Sequence, residues 1–307
     1  MVTHLPQLTG QRCVTDGGLE TDLIFHHGLD LPGFAAFPLV DQSDGRRRLT
    51  DYYDGYAAIA RSSGAGLLLE SPTWRANPDW GAELGYDAAA LARVNADSIT
   101  FLTELRARYG DIAPVLVVGV VGPRGDGYVP GAVMTAEEAA AYHRPQIEAF
   151  AAAGADLVTA YTLTNVPEAI GVVRAARSAG LPVAISFTVE TDGRLASGPA
   201  LGDAIVAVDA AARPEYFMVN CAHPVHVARA LPGISDGRTR IVGLRSNAST
   251  KSHADLDEAA DLDEGDIDYL VSTHRALAAH LPALTIVGGC CGTDARHVAA
   301  LWTDATA

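Results

Sequence analysis

Eight short apolar runs punctuate this chain, and helix-like segments fill most of the gaps between them. Few folds accommodate that alternation. The runs are Arg12–Thr15, Gly66–Glu70, Val115–Val121, Leu157–Tyr161, Pro182–Thr188, Tyr216–Asn220, Arg240–Leu244 and Leu284–Val287. Runs such as Val115-Leu116-Val117-Val118 are apolar on both faces, as a parallel sheet covered by helices requires. Eight βα alternations predict an α/β fold of the TIM (β/α)8 barrel type, with an open doubly wound sheet as the competing arrangement. A chain of 307 residues suits one such barrel, which typically takes about 250. Residues 1–307 are therefore read as a single domain.

Local signals agree with the alternation. Thr135-Ala136-Glu137-Glu138 has a capping-box pattern at the start of the helix that carries His143. Asn165 and Glu168 flank Pro167 at the start of the next helix. Gly64, Gly110, Gly154 and Gly180 follow helical segments, where glycine terminates helices. The segment from Gly28 to Arg48 reads as irregular, a lid or access loop between the first two strands.

Composition removes several classes of function. The net charge is −15 and Lys251 is the only lysine, so no basic stripe for nucleic acid is expected. Met1 to Gly10 lacks the basic start and apolar centre of a signal peptide. The longest apolar runs fall far short of the ~20 residues that span a bilayer. Four cysteines in a chain of this length do not make a disulfide scaffold. Adjacent cysteines point to reduced thiols or metal, hence to a reducing, cytoplasmic setting. Whether copies of the chain associate is left open.

In a TIM barrel the chemistry gathers at the C-terminal ends of the strands. That rule nominates Asp16 after the first strand, Glu70 at the end of the second and Gly122-Pro123-Arg124 after the third. It adds Tyr161 and Thr162 at the fourth, Glu190 past the fifth, Cys221 and His223 at the sixth, and Ser246 and Asn247 at the seventh. The eighth run leads into Gly288-Gly289-Cys290-Cys291-Gly292. Three of the four cysteines thus follow strands, and strands six and eight are two apart in a closed barrel. Three thiolates make a tight zinc site with one position left free. The competing reading is that each is a small buried hydrophobe. Consecutive residues of a strand face opposite ways, so Cys290 and Cys291 reach one ion only if the glycines permit an unusual backbone.

Gly288-Gly289-Cys290-Cys291-Gly292-Thr293 after one strand and Asn220-Cys221 after another resemble the homocysteine S-methyltransferase family. So do Thr15-Asp16-Gly17-Gly18-Leu19-Glu20-Thr21, Tyr142-His143-Arg144-Pro145-Gln146-Ile147-Glu148-Ala149 and Ile185-Ser186-Phe187-Thr188-Val189. The resemblance runs along nearly the whole chain. It implies a zinc-dependent thiol methyltransferase on a TIM barrel, with Zn2+ on Cys221, Cys290 and Cys291. Homocysteine is the acceptor that the family implies, giving methionine. A small sulfonium donor, S-methylmethionine or S-adenosylmethionine, suits a chain without room for cobalamin and folate domains. The family's aspartate matching Asp16 is implicated in binding homocysteine, so Asp16 is expected to receive the substrate ammonium; a turn-capping role is its alternative.

The chain departs from the family pattern twice. Tyr161 stands where the family carries a glutamate that helps to hold the homocysteine amine. After strand two, Glu70-Ser71-Pro72-Thr73-Trp74-Arg75 replaces a threonine- and asparagine-rich stretch. Glu70 is expected to restore the missing negative charge from a neighbouring strand, or the pocket suits another thiol. Trp74 is read mainly as structural, with stacking on a sulfonium as the alternative. His223 is read as the start of a helix in preference to a ligand, His143 as structural, Cys13 as core and His26-His27 as solvated. A zinc hydrolase on the same barrel, using Glu70 or Glu190 as base, and a zinc-storage protein are the competing functions.

Overall fold

The computed structural model describes residues 5–128, 131–234, 236–257, 259 and 261–304. Strands β1 (Cys13–Val14), β2 (Gly66–Glu70), β3 (Val115–Val121), β4 (Leu157–Leu163), β5 (Val183–Phe187), β6 (Tyr216–Ala222), β7 (Ile241–Ser246) and β8 (Ile286–Gly289) are all parallel and run in sequence order around a closed barrel. Cys13 pairs with Ile286 and Val14 with Val287 to close it. A principal helix follows each strand: α1 (Ser43–Ser63), α2 (Ala88–Arg108), α3 (Ala136–Ala152), α4 (Val166–Ser178), α5 (Leu201–Ala211), α6 (Pro224–Ala230), α7 (Ile267–Ala278) and α8 (Ala295–Asp304). The doubly wound alternative is excluded.

Strand alternation divides the apolar residues between two layers. Leu68, Leu116, Val118, Val120, Tyr216, Met218 and Ile286 fill the barrel, with Leu5 beneath them. Val117, Val121, Ile185, Phe217 and Leu244 face outward and pack against residues such as Tyr53, Phe150 and Val173 of the helices. The N-terminal turn Pro6–Thr9 closes the bottom: Gln7 Nε2 donates to Tyr216 Oη (3.2 Å), and Thr285 Oγ1 donates to the Gln7 carbonyl (2.9 Å).

Thr135 and Glu138 form both halves of the capping box that opens α3, and Asn165 Oδ1 caps α4. Gly64, Gly154 and Gly180 lie in the left-handed region behind α1, α3 and α4, whereas Gly110 does not. The irregular segment after Gly28 is shorter than expected. It contains 3-10 turns at Pro32–Phe34 and Phe37–Asp41, and α1 already begins at Ser43. Strands β4, β6, β7 and β8 run two residues past their expected ends. The apolar pattern stops at the barrel mouth, but backbone pairing continues through the residues there.

Candidate active site

The sulfurs of Cys221, Cys290 and Cys291 lie within 4.8 Å of one another at the mouth, with Cys221 and Cys291 3.5 Å apart. A tetrahedral zinc with Zn–S near 2.3 Å would set its sulfurs about 3.8 Å apart. The three thiols could therefore hold a metal ion with little movement. In this cluster the Cys290 thiol is pushed well down, because Cys221 and Cys291 donate hydrogen bonds to its sulfur. Burial pushes the Cys221 thiol up.

Two adjacent cysteines reach one point because neither belongs to a strand. β8 ends at Gly289, and Cys290–Thr293 is a β-turn closed by Thr293 N–H to the Cys290 carbonyl (3.0 Å). Gly292 occupies its third position at φ +76°, a place where a side chain is disfavoured. Gly288 and Gly289 serve differently from the expectation. A Cβ on Gly289 would fall 1.9 Å from Thr293 Oγ1, so these glycines permit close approach, and the left-handed residue lies after the cysteines.

Cys221 is turned by a different device. The β6–β7 register shifts between Asn220 and Ala222, leaving Cys221 as the extra residue at φ +54°. Thr162 makes a matching kink in β4 at φ +59°. Each left-handed non-glycine residue costs roughly 1–2 kcal/mol. Asn220 braces both kinks: its Oδ1 accepts from the Thr162 N–H (2.9 Å) and from Ser186 Oγ (2.7 Å), and its Nδ2 donates to Thr162 Oγ1 (2.9 Å). Replacing Asn220 with alanine is expected to destabilise the protein by about 2–4 kcal/mol and to weaken metal binding about 10- to 100-fold. Thermal melts and competition with a chelator check the two effects separately.

Arg245 organises the floor of the mouth. Its guanidinium donates to Glu70 Oε2, to Asp16 Oδ1, to the Gly17 carbonyl (2.8 Å) and to the Gly289 carbonyl (2.8 Å). Glu70 also accepts from Thr15 Oγ1 (2.9 Å) and from the Tyr161 hydroxyl, and the guanidinium carbon sits 4.7 Å from the Tyr161 ring centre. Burial raises the Asp16 pKa well above the usual range, with Arg245 opposing and Glu70 adding to the rise. Asp16, Glu70 and Tyr161 are thus brought together, but both carboxylates are already answered by a guanidinium. Asp16 does not merely cap its turn, and Glu70 is not a free replacement for the family's strand-four charge.

Arg245 escaped the sequence reading because its facing depends on register. Phe217 pairs with Ile241 but Met218 pairs with Gly243, so β7 carries an extra residue at Val242. A one-residue shift exchanges the faces of everything beyond it. Val242 and Arg245 face inward, and Leu244 faces the helices. An arginine inside an otherwise apolar, buried strand was the available signal.

Other residues complete the mouth. The Tyr128 hydroxyl lies 3.1 Å from Cys221 Sγ and 3.5 Å from Cys291 Sγ, and its ring stacks on His253 at 4.2 Å. His253 Nε2 contacts the Cys221 carbonyl (2.6 Å) and Nδ1 contacts Glu190 Oε1 (2.9 Å). Both partners only accept, so the two contacts favour the doubly protonated ring of His253. Burial opposes this, but the bonds to Glu190 and to the carbonyl raise its pKa overall. Neither Tyr128 nor His253 had a sequence signal. Glu190 and Glu70, the candidate bases of a hydrolase, are tied to His253 and Arg245.

The residues given lesser roles fall as follows. His223 caps α6 through Nδ1 and the Val225 N–H (3.3 Å), and burial pushes its pKa down to about 4. His143 is buried against Glu168 (2.9 Å), and Cys13 is buried in β1. Arg124 turns outward to Asp79 (2.8 Å). His26 is exposed as expected, but it is also paired, with Asp22 (2.7 Å) and Glu264 (3.1 Å) on the rim. Trp74 lines the cavity, with the Arg75 guanidinium 4.4 Å from its ring centre.

These side chains surround a cavity of about 360 Å³, ample for a small substrate. Phe25 and Phe34, the latter from the segment read as a lid, line its outer wall. Glu20 also lines it, and burial pushes the Glu20 carboxyl up to about 7.

A TIM barrel with three converging sulfurs at its catalytic end defines an enzyme that handles thiols. The model of the homocysteine S-methyltransferase family matches residues 13–304, and the chain belongs to that family: it is a thiol S-methyltransferase. It is 27% identical over 310 residues to homocysteine S-methyltransferase 4 of Zea mays, covering 95% of this chain and 89% of that protein. It is 23% identical over 319 residues to a selenocysteine Se-methyltransferase of Brassica oleracea var. italica, covering 95% and 88%. The crystal structure of the homocysteine methyltransferase MmuM from Escherichia coli, metallated form, has the same fold. It matches with a TM-score of 0.72 and 24% identity over 95% of this chain and 96% of that one. Among the described residues no helix is long and apolar enough to cross a membrane.

Proposed function

We propose that this protein moves a methyl group from a small sulfonium donor, S-methylmethionine or S-adenosylmethionine, to the thiolate of homocysteine, giving methionine. We further propose that residues 1–307 act as one barrel domain in a reducing, cytoplasmic setting. The observation that carries the reading is the convergence of Cys221, Cys290 and Cys291 on one point of the cavity. The metallated form of the Escherichia coli relative supports a metal there. Zinc held by these cysteines would supply the Lewis acidity that keeps an acceptor sulfur ionised at neutral pH.

The protein's own residues supply the rest. Tyr128 closes the cluster on the cavity side, so its hydroxyl gives way when an acceptor sulfur arrives. Asp16, Glu70 and Tyr161, drawn together by Arg245, form the floor against which the amino-acid end of the acceptor packs. Asp16, Glu20, Glu70, Asp126, Asp257, Asp261 and Asp263 line the cavity against Arg75, Arg245 and His253, an acidic balance that favours a cationic donor. The acceptor sulfur attacks the donor methyl in line. A new C–S bond forms, the sulfonium C–S bond breaks, and its electron pair leaves on a neutral thioether. No protein acid is needed, and the main contributions are alignment and exclusion of water.

Incubating zinc-loaded protein with homocysteine and either donor carrying a deuterated methyl group is expected to yield labelled methionine by mass spectrometry. Label no higher than in enzyme-free controls, with both donors, would sink the proposal.

A further inference from the structure

Asp16 and Glu70 are both engaged inside the protein. An ammonium approaching either one competes with the Arg245 guanidinium, which is fixed by bonds to both acids and to two backbone carbonyls. Glu20 differs from both. It lines the cavity that contains the three thiols, and its carboxylate accepts a hydrogen bond from its own backbone N–H. Among the described residues no side chain hydrogen-bonds or ion-pairs with it; it senses Cys290, Arg245 and Arg75 only through their charge.

The chain holds Glu20 in place from both sides. Gly18 N–H donates to the Thr293 carbonyl (3.0 Å), and a Cβ on Gly18 would fall 2.6 Å from the Cys290 carbonyl oxygen. Thr21 Oγ1 accepts from the Gly292 N–H (3.2 Å). The short helix Leu19–Thr21 is therefore pinned to the turn that presents Cys290 and Cys291. In an amino-acid thiol such as homocysteine the ammonium nitrogen is only four bonds from the sulfur. With the sulfur at the cysteines, those four bonds keep the ammonium near the turn that carries Cys290 and Cys291. A cation there meets Glu20, a carboxylate without a side-chain partner among the described residues, beside that turn.

We propose that Glu20 is the specificity-determining residue that anchors the ammonium group of the amino-acid thiol acceptor. The inference rests on the methyltransferase reading above. Its experiment compares zinc-loaded wild type and Glu20→Gln, using homocysteine and 4-sulfanylbutanoate, the same thiol acid without the amine. Calorimetry without donor reads binding, and initial rates read KM for acceptor and donor separately. Glu20→Gln is expected to weaken homocysteine binding and raise its KM about 10- to 100-fold. Binding of 4-sulfanylbutanoate, KM for the donor and zinc content should stay at wild-type values. Glu20→Asp keeps the charge one methylene short and should fall between the two, which covers a glutamine variant that folds poorly. Unchanged homocysteine binding, equal losses for both thiols, or an effect confined to the donor would each overturn the assignment; the last would give Glu20 to the donor cation. Failure of the methyltransferase reading shows elsewhere, as absence of methyl transfer by the wild type, while the two thiols still report on Glu20 through binding.

Discussion

Cys290→Ser and Cys291→Ser proteins are expected to lose their metal and to fall at least roughly a thousandfold in kcat/KM, a loss of about 4 kcal/mol of transition-state stabilisation. Serine is close to cysteine in size, so the turn Cys290–Thr293 and the barrel should survive. What disappears is one of three soft donors: among the described residues the group within 4.8 Å consists of Cys221, Cys290 and Cys291 without a histidine, and both ring nitrogens of His253 already contact Glu190 and the Cys221 carbonyl. Without the metal, an acceptor with a free-thiol pKa near 8.5 is only a few per cent ionised at pH 7 and has no fixed position. Metal analysis and single-turnover methyl transfer test the two parts. Cys13→Ser is the control, because Cys13 lies inside β1, away from the mouth. A Cys291→Ser protein with full metal content and activity would end the case for a three-sulfur site.

Arg245→Met is expected to cost about 3–5 kcal/mol of stability, because removing one partner leaves buried charge uncompensated. The melting temperature should fall on the order of 10 °C at neutral pH. Asp16 and Glu70 would then face each other with no cation between them, and Tyr161 would lose the group over its ring. The sign of the pH dependence follows. Without Arg245 the charge that opposes the rise at Asp16 is gone, so the native state binds a proton on Asp16 more tightly than the unfolded chain does. Stability of the variant relative to wild type should therefore rise as pH falls and decline as pH rises towards neutrality. Adding Glu70→Gln to Arg245→Met should recover part of the loss, since one fewer carboxylate is buried. A variant as stable as wild type across that range would show that the charged floor contributes nothing to the fold.

Much of this molecule is legible in the order of its residues. The eight apolar runs match the eight strands, and Thr135 and Asn165 open the helices they were expected to open. Cys221, Cys290 and Cys291 could be nominated because each follows a run and the active end of a barrel is where its strands finish. The expected roles of Asp16 and Glu70 took no account of Arg245. The residues missed outright, Tyr128, His253 and Arg245, share with Asn220, which was noted only as part of a motif, one property: their importance lies in what they touch across the barrel.

Residue order by itself determined the barrel and the three cysteines at its mouth, because hydrophobic period and strand ends are local properties of the chain. Only the tertiary structure decided which residues at the mouth turn inward and which charges are left unpaired. The extra residues at Thr162, Cys221 and Val242 exist only in register with neighbouring strands, and each exchanges the faces of the residues beyond it. Pairing of Arg245 with Asp16 and Glu70 follows from that register, and it leaves Glu20, which lines the same cavity, without a side-chain partner among the described residues.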